Sequence, residues 1–385
     1  MILAQPVYHP VRPDITLLKP GAELDRFGIP RLLELGVHEI WIRYPGLDDL
    51  IKFANPRILN AYRGLISTIG LALNSAMLGA QAHLDYYAYR QAVTHLIDQL
   101  TDDPSAAFLV GELVRASHPF IRHAGNTCLV SLLMGLKLDH YLIQERSRIS
   151  PAAAKDVSNL GVGALFHDIG LLRVEPAHLG RWCATHDESD PAWREHVRLG
   201  HQMVHDHLDP AAAAVVLHHH QRFDGTGFPS KATGDKTPPK GSEIHIFARI
   251  AACADVFDRL RFASHAPGEQ DVPPLPTVRV LNMMRREPFT KYFDPVVLSA
   301  LHHVVPPFAP GSVVSLSNGQ LAAISDWSPQ HPCRPTVIPI ANMDAPSLRD
   351  PAYRLDEPRA AIDLWRRPDL SIASTLGEDV QADLY

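Results

Sequence analysis

The pattern that most limits the fold is a helical stretch from residue 61 to about 305, in which apolar residues recur with a period of about 3.6. Within residues 64–83 the larger apolar side chains repeat every four positions, at Leu65, Ile69, Leu73 and Met77. This spacing places apolar side chains on one face of an α-helix. Connectors rich in proline and glycine interrupt the pattern at 224–241 and 264–277. The sequence therefore predicts a mainly α fold.

The two ends of the chain have a different character. Residues 1–60 combine a strand-like run, "EIWIRYP" (39–45), with a short helical run, "IPRLLELGV" (29–37), which predicts a small N-terminal α/β module. Beyond residue 306 the apolar period becomes two, and "SVVSLSNGQLAAIS" (312–325) predicts a hairpin whose Asn318-Gly319 turn supplies positive φ angles. We expect three domains: the N-terminal module (1–60), a helical domain (61–305), and a β-rich C-terminal appendage and tail (306–385).

Charge and hydropathy exclude some partners. The chain has 36 basic and 42 acidic side chains and a net charge of −6, so no overall field attracts a nucleic acid polymer or an anionic membrane. The longest charge-free stretch, 64–83, is interrupted by polar residues and has the pattern of one helix face, so we expect no membrane span.

The cysteines and the start of the chain bear on location. The four cysteines are scattered without a Cys-x-x-Cys spacing, which argues against a disulfide framework or a cysteine-bound zinc and fits a reducing compartment. The first residues, "MILAQPVYHPVRPD", lack the basic and apolar segments of an export signal. We therefore expect a cytoplasmic protein.

Histidines are numerous, 22 in all, and they cluster. The clusters are His167-Asp168, the segment 196–207 and the triple histidine 218–220, and Asp255 lies in a further amphipathic segment. Imidazoles and carboxylates from separate helices are suitable ligands for Fe, Mn, Zn, Co or Ni. Taken alone, His167-Asp168 could be a local ion pair or part of a metal site. Direct pairing is poor, because adjacent residues on a helix do not face one another.

The order and spacing of these clusters resemble the HD-GYP family, a branch of the HD superfamily of metal-dependent phosphohydrolases. Five elements carry the resemblance: "HPFIRHAGNTCLVSLLMGL" (118–136), "HDIG" (167–170), "HVRLG" (196–200), "HHQRFDGTGFP" (219–229) and "ADVFDRL" (254–260). They are similar to the family's first-histidine helix, its HD-Ile-Gly and His-x-x-x-Gly elements, its paired histidines with Asp-Gly-x-Gly-Tyr-Pro, and its Ala-Asp-x-x-Asp-x-Leu helix. The resemblance covers about 105–303 and implies an HD-domain helical bundle.

Carried over to this sequence, the resemblance implies seven metal ligands: His123, His167, Asp168, His196, His219, His220 and Asp255. Asp168 and His167 are the expected catalytic residues, and Asp168 is the expected bridge between two divalent transition metals. Fe or Mn is expected first, with Zn, Co or Ni as alternatives. Some members hold a third metal through a Glu four residues before the first histidine; Pro119 stands there, so we expect two metals.

The resemblance also implies a reaction, hydrolysis of a cyclic dinucleotide by a hydroxide that two metals share and activate. The expected substrate is cyclic di-GMP, opened to linear pGpG and then to GMP, in signal transduction. The loop from Gly225 to Pro229 is the expected contact for other signalling proteins. Two alternatives stay open: a non-catalytic module that binds nucleotide or a partner protein, and an HD phosphohydrolase for another phosphoester.

The sequence departs from the family's pattern at several positions, and some of these positions carry basic groups that help hold phosphate in the family. Phe228 replaces the Tyr, and Leu171 stands where a Lys usually follows HD-Ile-Gly. The Arg-Pro-Tyr expected after the last helix is replaced by "RFASHAPGE" (261–269), with Ser264 and Pro267 where basic groups are expected. Candidates to substitute for the missing cations are Arg173, Arg259, Arg261 and Lys291, and the sequence does not choose among them. The substrate-binding residues are therefore unknown at this point.

Overall fold

The structure is a computed structural model that describes most of the chain. The described residues are 2–9, 15–25, 27–35, 37, 40–43, 47, 50, 53, 55–77, 85–107, 119–185, 187–232, 234, 236–262, 274–340 and 360–385.

Helices account for most of the middle of the chain. Their bounds are α1 (Gly28–Glu34), α2 (Pro56–Met77), α3 (Tyr86–Asp102), α4 (Pro119–Lys137), α5 (Asp139–Glu145), α6 (Pro151–Ala154), α7 (Ser158–Phe166), α8 (Pro176–Thr185), α9 (Pro191–Arg194), α10 (His196–Val204), α11 (Pro210–His218), α12 (Ile246–Arg261), α13 (Thr277–Met284), α14 (Phe289–Tyr292) and α15 (Pro295–Val304). A 3₁₀ segment, Ile169–Arg173, links α7 to α8. The mainly α prediction is confirmed.

Several helices begin with a shared local signal. Asp190, Asp209 and Asp294 each precede a proline at the first helical position, and each carboxylate accepts a hydrogen bond from the backbone N–H two residues on. Ser150 likewise precedes a proline at the first helical position and caps α6. The cap satisfies one of the free N–H groups of the first turn, and proline has no N–H to leave unpaired.

The core of the helical part is organised around α4. This helix is buried continuously from Ala124 to Gly135 and packs against both α7 and α12. Helix α11 packs on the far side of α7, and the pair α2 and α3 covers α4 and α7. One continuous hydrophobic cluster runs through these helices. Helices α4, α7, α11 and α12 are thereby held close together.

A six-stranded antiparallel sheet forms the C-terminal part. Its strands, in sheet order, are β6 (Ile362–Asp363), β5 (Thr336–Pro339), β4 (Leu321–Asp326), β3 (Val313–Leu316), β7 (Ile372–Thr375) and β8 (Glu378–Asp379). Its buried face packs on Val278 of α13. Arg279 ties the same helix to the end of the chain through ion pairs to Glu378 and Asp383 at 3.0 and 2.9 Å.

The predicted hairpin at 312–325 is the β3–β4 pair. Gly319 has the expected positive φ of 81°. The expected positive φ at Asn318 is wrong, because Asn318 contributes its side chain instead and accepts a hydrogen bond from the backbone N–H of Gln320 at 3.0 Å. A side-chain turn of this kind lets asparagine support the loop without a left-handed backbone.

The N-terminal region contains α1 and a two-stranded sheet of β1 (Val7–Tyr8) and β2 (Thr16–Leu18). The strand predicted at 39–45 is reduced, among its described residues 40–43, to a single bridge between Ile42 and Leu3. The division into three domains stays a prediction. Across the described part of the chain, no helix combines the length and apolar character needed to cross a membrane.

Candidate metal centre

Seven side chains that the sequence analysis expects to be ligands meet at one place among five helices. They are His123 on α4, His167 and Asp168 after α7, His196 at the start of α10, His219 and His220 after α11, and Asp255 on α12. Six of the seven are buried, and the His123 side chain is 16% exposed. The structure thus brings together every predicted ligand. Their assignment as ligands stays a prediction.

Asp168 lies at the centre of this group. Its Oδ2 is 3.4 Å from Nε2 of His167 and 3.7 Å from Nε2 of His123. Its Oδ1 is 3.4 Å from Nε2 of both His196 and His219. The two carboxylate oxygens therefore face two separate pairs of imidazoles. His220 lies with the second pair, close enough for one ion to contact all of that group.

The backbone orients three of these imidazoles in one way. Nδ1 of His167, His196 and His219 donates to the carbonyl oxygen three residues earlier, at 2.8, 2.7 and 3.0 Å. In the neutral ring, a hydrogen on Nδ1 leaves a lone pair on Nε2, the atom that faces Asp168. Partners of this kind fix the tautomer and orientation of metal-binding histidines.

His123 is oriented by side chains instead. Its Nδ1 donates to Oδ2 of Asp258 at 2.7 Å, and Oδ1 of Asp258 accepts from the Asn126 amide at 2.8 Å. Oδ1 of Asn126 in turn accepts from the Tyr62 hydroxyl at 2.9 Å. The sequence analysis missed this chain of hydrogen bonds. The available signal was the spacing of Asp255 and Asp258, since residues three apart lie on one helix face.

The atoms that face the centre are mutually repulsive unless positive charge lies between them. Nε2 of His123 is 3.2 Å from Nε2 of His167 and 3.1 Å from Oδ1 of Asp255. Nε2 of His196 is 3.4 Å from Nε2 of His219. Oδ1 of Asp255 is buried and accepts no hydrogen bond from the described residues while Nε2 of His123 carries a lone pair. Converging lone pairs on nitrogen and oxygen fit divalent transition metals.

The ionisation of these groups follows from burial and from one another. Burial lowers the pKa of His196 to about 4 and that of His220 well below its usual range. Burial also lowers the pKa of His123 and His167, but neighbouring carboxylates outweigh it. Asp255 and Asp258 raise the pKa of His123 to about 9. Asp168 raises the pKa of His167 to about 10. Protons on these two histidines supply the positive charge that the converging lone pairs require.

The carboxylates at the centre remain ionised despite their burial. Burial alone would raise the pKa of Asp168, but His167, His219 and His196 hold it well below its usual value. Burial has the same effect on Asp255, where Arg259 is the main opposing influence. Both carboxylates are therefore available as anionic ligands at neutral pH.

Two glycines allow the elements of the site to approach. A Cβ on Gly170 would lie 1.9 Å from the carbonyl oxygen of His196 and 2.5 Å from the backbone nitrogen of Gly200. In the following loop, a Cβ on Gly227 would lie 2.5 Å from the carbonyl oxygen of His220. Glycine is required at both positions because backbone lies where a side chain would begin.

Comparisons with known proteins agree with this geometry. Residues 143–297 match the family described as HD domain. The cyclic di-GMP phosphodiesterase PA4108 of Pseudomonas aeruginosa is 29% identical over 318 residues, 77% of this chain and 72% of that protein. The 3'3'-cGAMP-specific phosphodiesterase 3 of Vibrio cholerae is 29% identical over 61% of this chain and 46% of its own length. This chain carries an HD domain and is a metal-dependent phosphohydrolase similar to the cyclic dinucleotide phosphodiesterases of the HD-GYP family.

A solved structure gives a weaker comparison. A protein described as Bd1817, a HDG"Y"P protein from Bdellovibrio bacteriovorus, is 14% identical, with a TM-score of 0.46 over 78% of this chain and 94% of that chain.

The Phe that replaces the HD-GYP tyrosine keeps an aromatic contact at the site. The ring of Phe228 stacks on His220 with centroids 4.6 Å apart, and its backbone N–H donates to the carbonyl oxygen of His220 at 3.2 Å. Trp193 contacts both His220 and Phe228. The aromatic ring therefore supports His220 without the tyrosine hydroxyl.

Leu171, where HD-GYP proteins usually have Lys, is buried. It packs with Trp182, Trp193 and Phe228, so this position presents no charge to a substrate. The other altered positions, Ser264 and Pro267, lie outside the described residues.

The four candidate replacement cations lie in different surroundings. Arg173 is exposed, Lys291 is an exposed partner of Glu287 at 2.8 Å, and Arg261 is buried beside Phe262. Arg259 differs from the other three, because it lines a pocket that His219 and His220 also line.

The remaining histidines lie apart from the centre. His201 and His205 stack on each other with centroids 5.4 Å apart, and His302 and His303 donate to carbonyl oxygens of α15. None of these, nor His218, belongs to either group of close metal-ligand atoms among the described residues. That they are dispensable for metal binding stays a prediction.

Proposed function

We propose that this protein hydrolyses a cyclic dinucleotide second messenger, with cyclic di-GMP as the first candidate and pGpG, then GMP, as the products. The observation that carries the proposal is the position of Asp168, whose two oxygens face two separate pairs of imidazoles. Relatives named as cyclic di-GMP and 3'3'-cGAMP phosphodiesterases support the substrate class.

In this proposal the seven residues hold two divalent transition metals, Fe or Mn first, with Asp168 as the bridge. Bound there, the metals supply a lowered pKa for the attacking water and positive charge for the phosphate. The protein orients the imidazoles through their Nδ1 hydrogens and surrounds the group with buried side chains. Burial strengthens the interaction of these ligands with cations, because little water screens them.

Location and protein partners are part of the same proposal. Cys128, Cys253 and Cys333 are free and buried, which supports a reducing compartment and hence the cytoplasm. The loop from Gly225 to Pro229 stays our candidate contact for other signalling proteins. Thr226 in this loop is hydrogen-bonded to Asp224 and Gly225 has a φ of 83°, which gives the loop a defined turn.

A second candidate function is a module that binds nucleotide without cleaving it. The burial of Leu171 favours it, because the phosphate contact expected from a Lys at this position is missing. The ionised Asp168 and the complete ligand set favour the enzyme.

Hydrolysis assays separate the two candidates. Metal-loaded wild-type protein and Asp168→Asn are incubated with cyclic di-GMP, 3'3'-cGAMP and related cyclic dinucleotides, and products are separated by chromatography. We expect turnover by the wild type and a loss of several powers of ten in Asp168→Asn, because the carboxylate that bridges the two metals is then lost. Wild-type protein that binds these nucleotides but cleaves none of them with Fe, Mn, Zn, Co or Ni would establish the binding module.

A further inference from the structure

A pocket opens directly beside the metal centre. Its lining includes Trp182, Glu188, His220, Arg222, Arg259 and Tyr292. His220 is one of the seven centre residues, so the pocket adjoins the centre. The inference below rests on the proposed function and concerns how that substrate is held.

Two arginines in this pocket share one carboxylate. Nη2 of Arg222 donates to Oε2 of Glu188 at 3.1 Å, and Nη1 of Arg259 donates to Oε1 of the same residue at 3.2 Å. The residues come from three separate places: the loop between α8 and α9, the loop after α11, and α12. Glu188 therefore holds two cations side by side that would otherwise repel each other.

Each guanidinium is also fixed from a second direction. Arg222 lies over the ring of Tyr292, 3.9 Å from its centroid. Nη2 of Arg259 donates to Oδ2 of Asp255 at 2.6 Å, so the Asp255 carboxylate links this arginine to the centre. Because both side chains are already ordered, they lose less conformational entropy when a ligand binds.

The arginine pair keeps unused capacity for an anion. Nε of Arg259 is buried, and none of the described residues accepts a hydrogen bond from it. The Arg222 side chain remains 31% exposed, and the Glu188 carboxylate remains 28% exposed. Within the pocket the two guanidiniums share one carboxylate, that of Glu188, while the Asp255 carboxylate pairs with Arg259 through Oδ2 and faces the centre with Oδ1. Guanidinium groups match the geometry of phosphate oxygens.

From these contacts we infer that Arg222 and Arg259, held together by Glu188, bind a phosphate of the substrate and replace the basic groups that Leu171 and the segment 261–269 lack. Arg222 is a substrate-binding residue, and Glu188 is a positioning residue that acts through both arginines. A cyclic dinucleotide has two phosphates in one ring, so it offers an anionic group beside the one at the centre.

The test uses Arg222→Ala, because among the described residues the polar partners of the Arg222 side chain are Glu188 and the Tyr292 ring rather than any of the seven centre residues. Metal-loaded, full-length protein is assayed with cyclic di-GMP. We expect KM to rise about tenfold or more, since one charge-assisted phosphate contact is lost, while kcat stays within about threefold. The KM of Arg222→Lys should lie between those of the wild type and Arg222→Ala, because lysine keeps the positive charge but not the paired N–H donors of the guanidinium.

Arg181→Ala is the matched control. Arg181 lies next to Trp182 on α8 but is 62% exposed and pairs with Asp190 at 3.7 Å, so its loss should leave KM unchanged. Metal content and thermal unfolding are measured for each variant. A rise in KM with unchanged metal content and stability separates a substrate contact from a general structural effect.

The outcomes distinguish this inference from the proposed function. If the wild type hydrolyses cyclic di-GMP and Arg222→Ala has an unchanged KM, the arginine pair does not bind substrate and the inference is wrong, while the proposed function stands. If the wild type hydrolyses nothing, the proposed function fails, and calorimetry with cyclic di-GMP then tests the pair alone. Binding weakened about tenfold in Arg222→Ala supports the pair; equal binding, or none by the wild type, overturns it.

Discussion

A single buried carboxylate, Asp258, decides which nitrogen of His123 faces the centre. It accepts from Nδ1 at 2.7 Å and is itself held by Asn126 at 2.8 Å. Asp258→Asn keeps the shape of the side chain but removes its negative charge. It also replaces one accepting oxygen with an NH₂ group, so one of the donors, His123 Nδ1 or the Asn126 amide, loses its acceptor. We expect metal affinity to fall roughly 10- to 100-fold.

The measurement for Asp258→Asn is a competition titration against a chelator of known affinity. Asp156→Asn is the control, since Asp156 is an exposed partner of Arg90 at 3.5 Å and its cap to Ser158 survives in Asn. Unchanged affinity in Asp258→Asn would mean that His123 needs no orienting partner.

Protons and metals compete at His123 and His167. Because their pKa values in the folded, metal-free protein are raised to about 9 and about 10, both carry a proton at pH 8. Metal binding should then release close to two protons per chain. The release should decline as pH rises through about 9 to 10, and apparent metal affinity should weaken as pH falls through the same range. Metal titrations in buffers of different ionisation enthalpy measure this release; a metal uptake at pH 8 without protons would contradict the account.

At the scale of elements, the 3₁₀ segment Ile169–Arg173 must lie directly on α10 to place Asp168 between the two histidine pairs. Gly170 makes this contact possible, because a Cβ would lie 1.9 Å from backbone oxygen. Gly170→Ala should therefore destabilise the protein by about 3 kcal/mol. It should also weaken metal binding, because His196 and Asp168 can no longer approach.

Gly180→Ala is the matched control for this prediction. Gly180 lies within α8 with open space around it, so alanine should be neutral or stabilise by up to about 1 kcal/mol. Thermal unfolding and metal content of the two variants are compared. Equal stability of Gly170→Ala and the wild type would show that the segments do not pack as described.

The same scale shows what local patterns in the sequence can predict. Helices that begin with Asp-Pro, such as α9, α11 and α15, follow from a cap and a proline at adjacent positions. The β3–β4 hairpin follows from a period of two and one glycine. The pairing of β3 with β7 does not, because the two strands lie more than fifty residues apart and their register depends on tertiary packing.

At the scale of the whole molecule, the candidate site could be predicted in part. The order of the histidine motifs identified seven residues that the fold brings together, because the spacing of these motifs along the chain reflects which helices meet in the fold. The hydrogen bonds from Tyr62 through Asn126 to Asp258 span 64 and 132 positions and have no local pattern. The contacts of Glu188 with Arg222 and Arg259 also have no local sequence pattern, because three separate segments form them.

The central claim is that the two oxygens of Asp168 serve two metals. Elemental analysis of protein purified without oxygen or chelators tests it most directly. We predict close to two transition-metal ions per wild-type chain and at most one in Asp168→Asn, because two neighbouring dications repel each other when the charge between them is removed. Wild-type protein with a metal content near zero, and with no uptake of added Fe or Mn, would contradict the account.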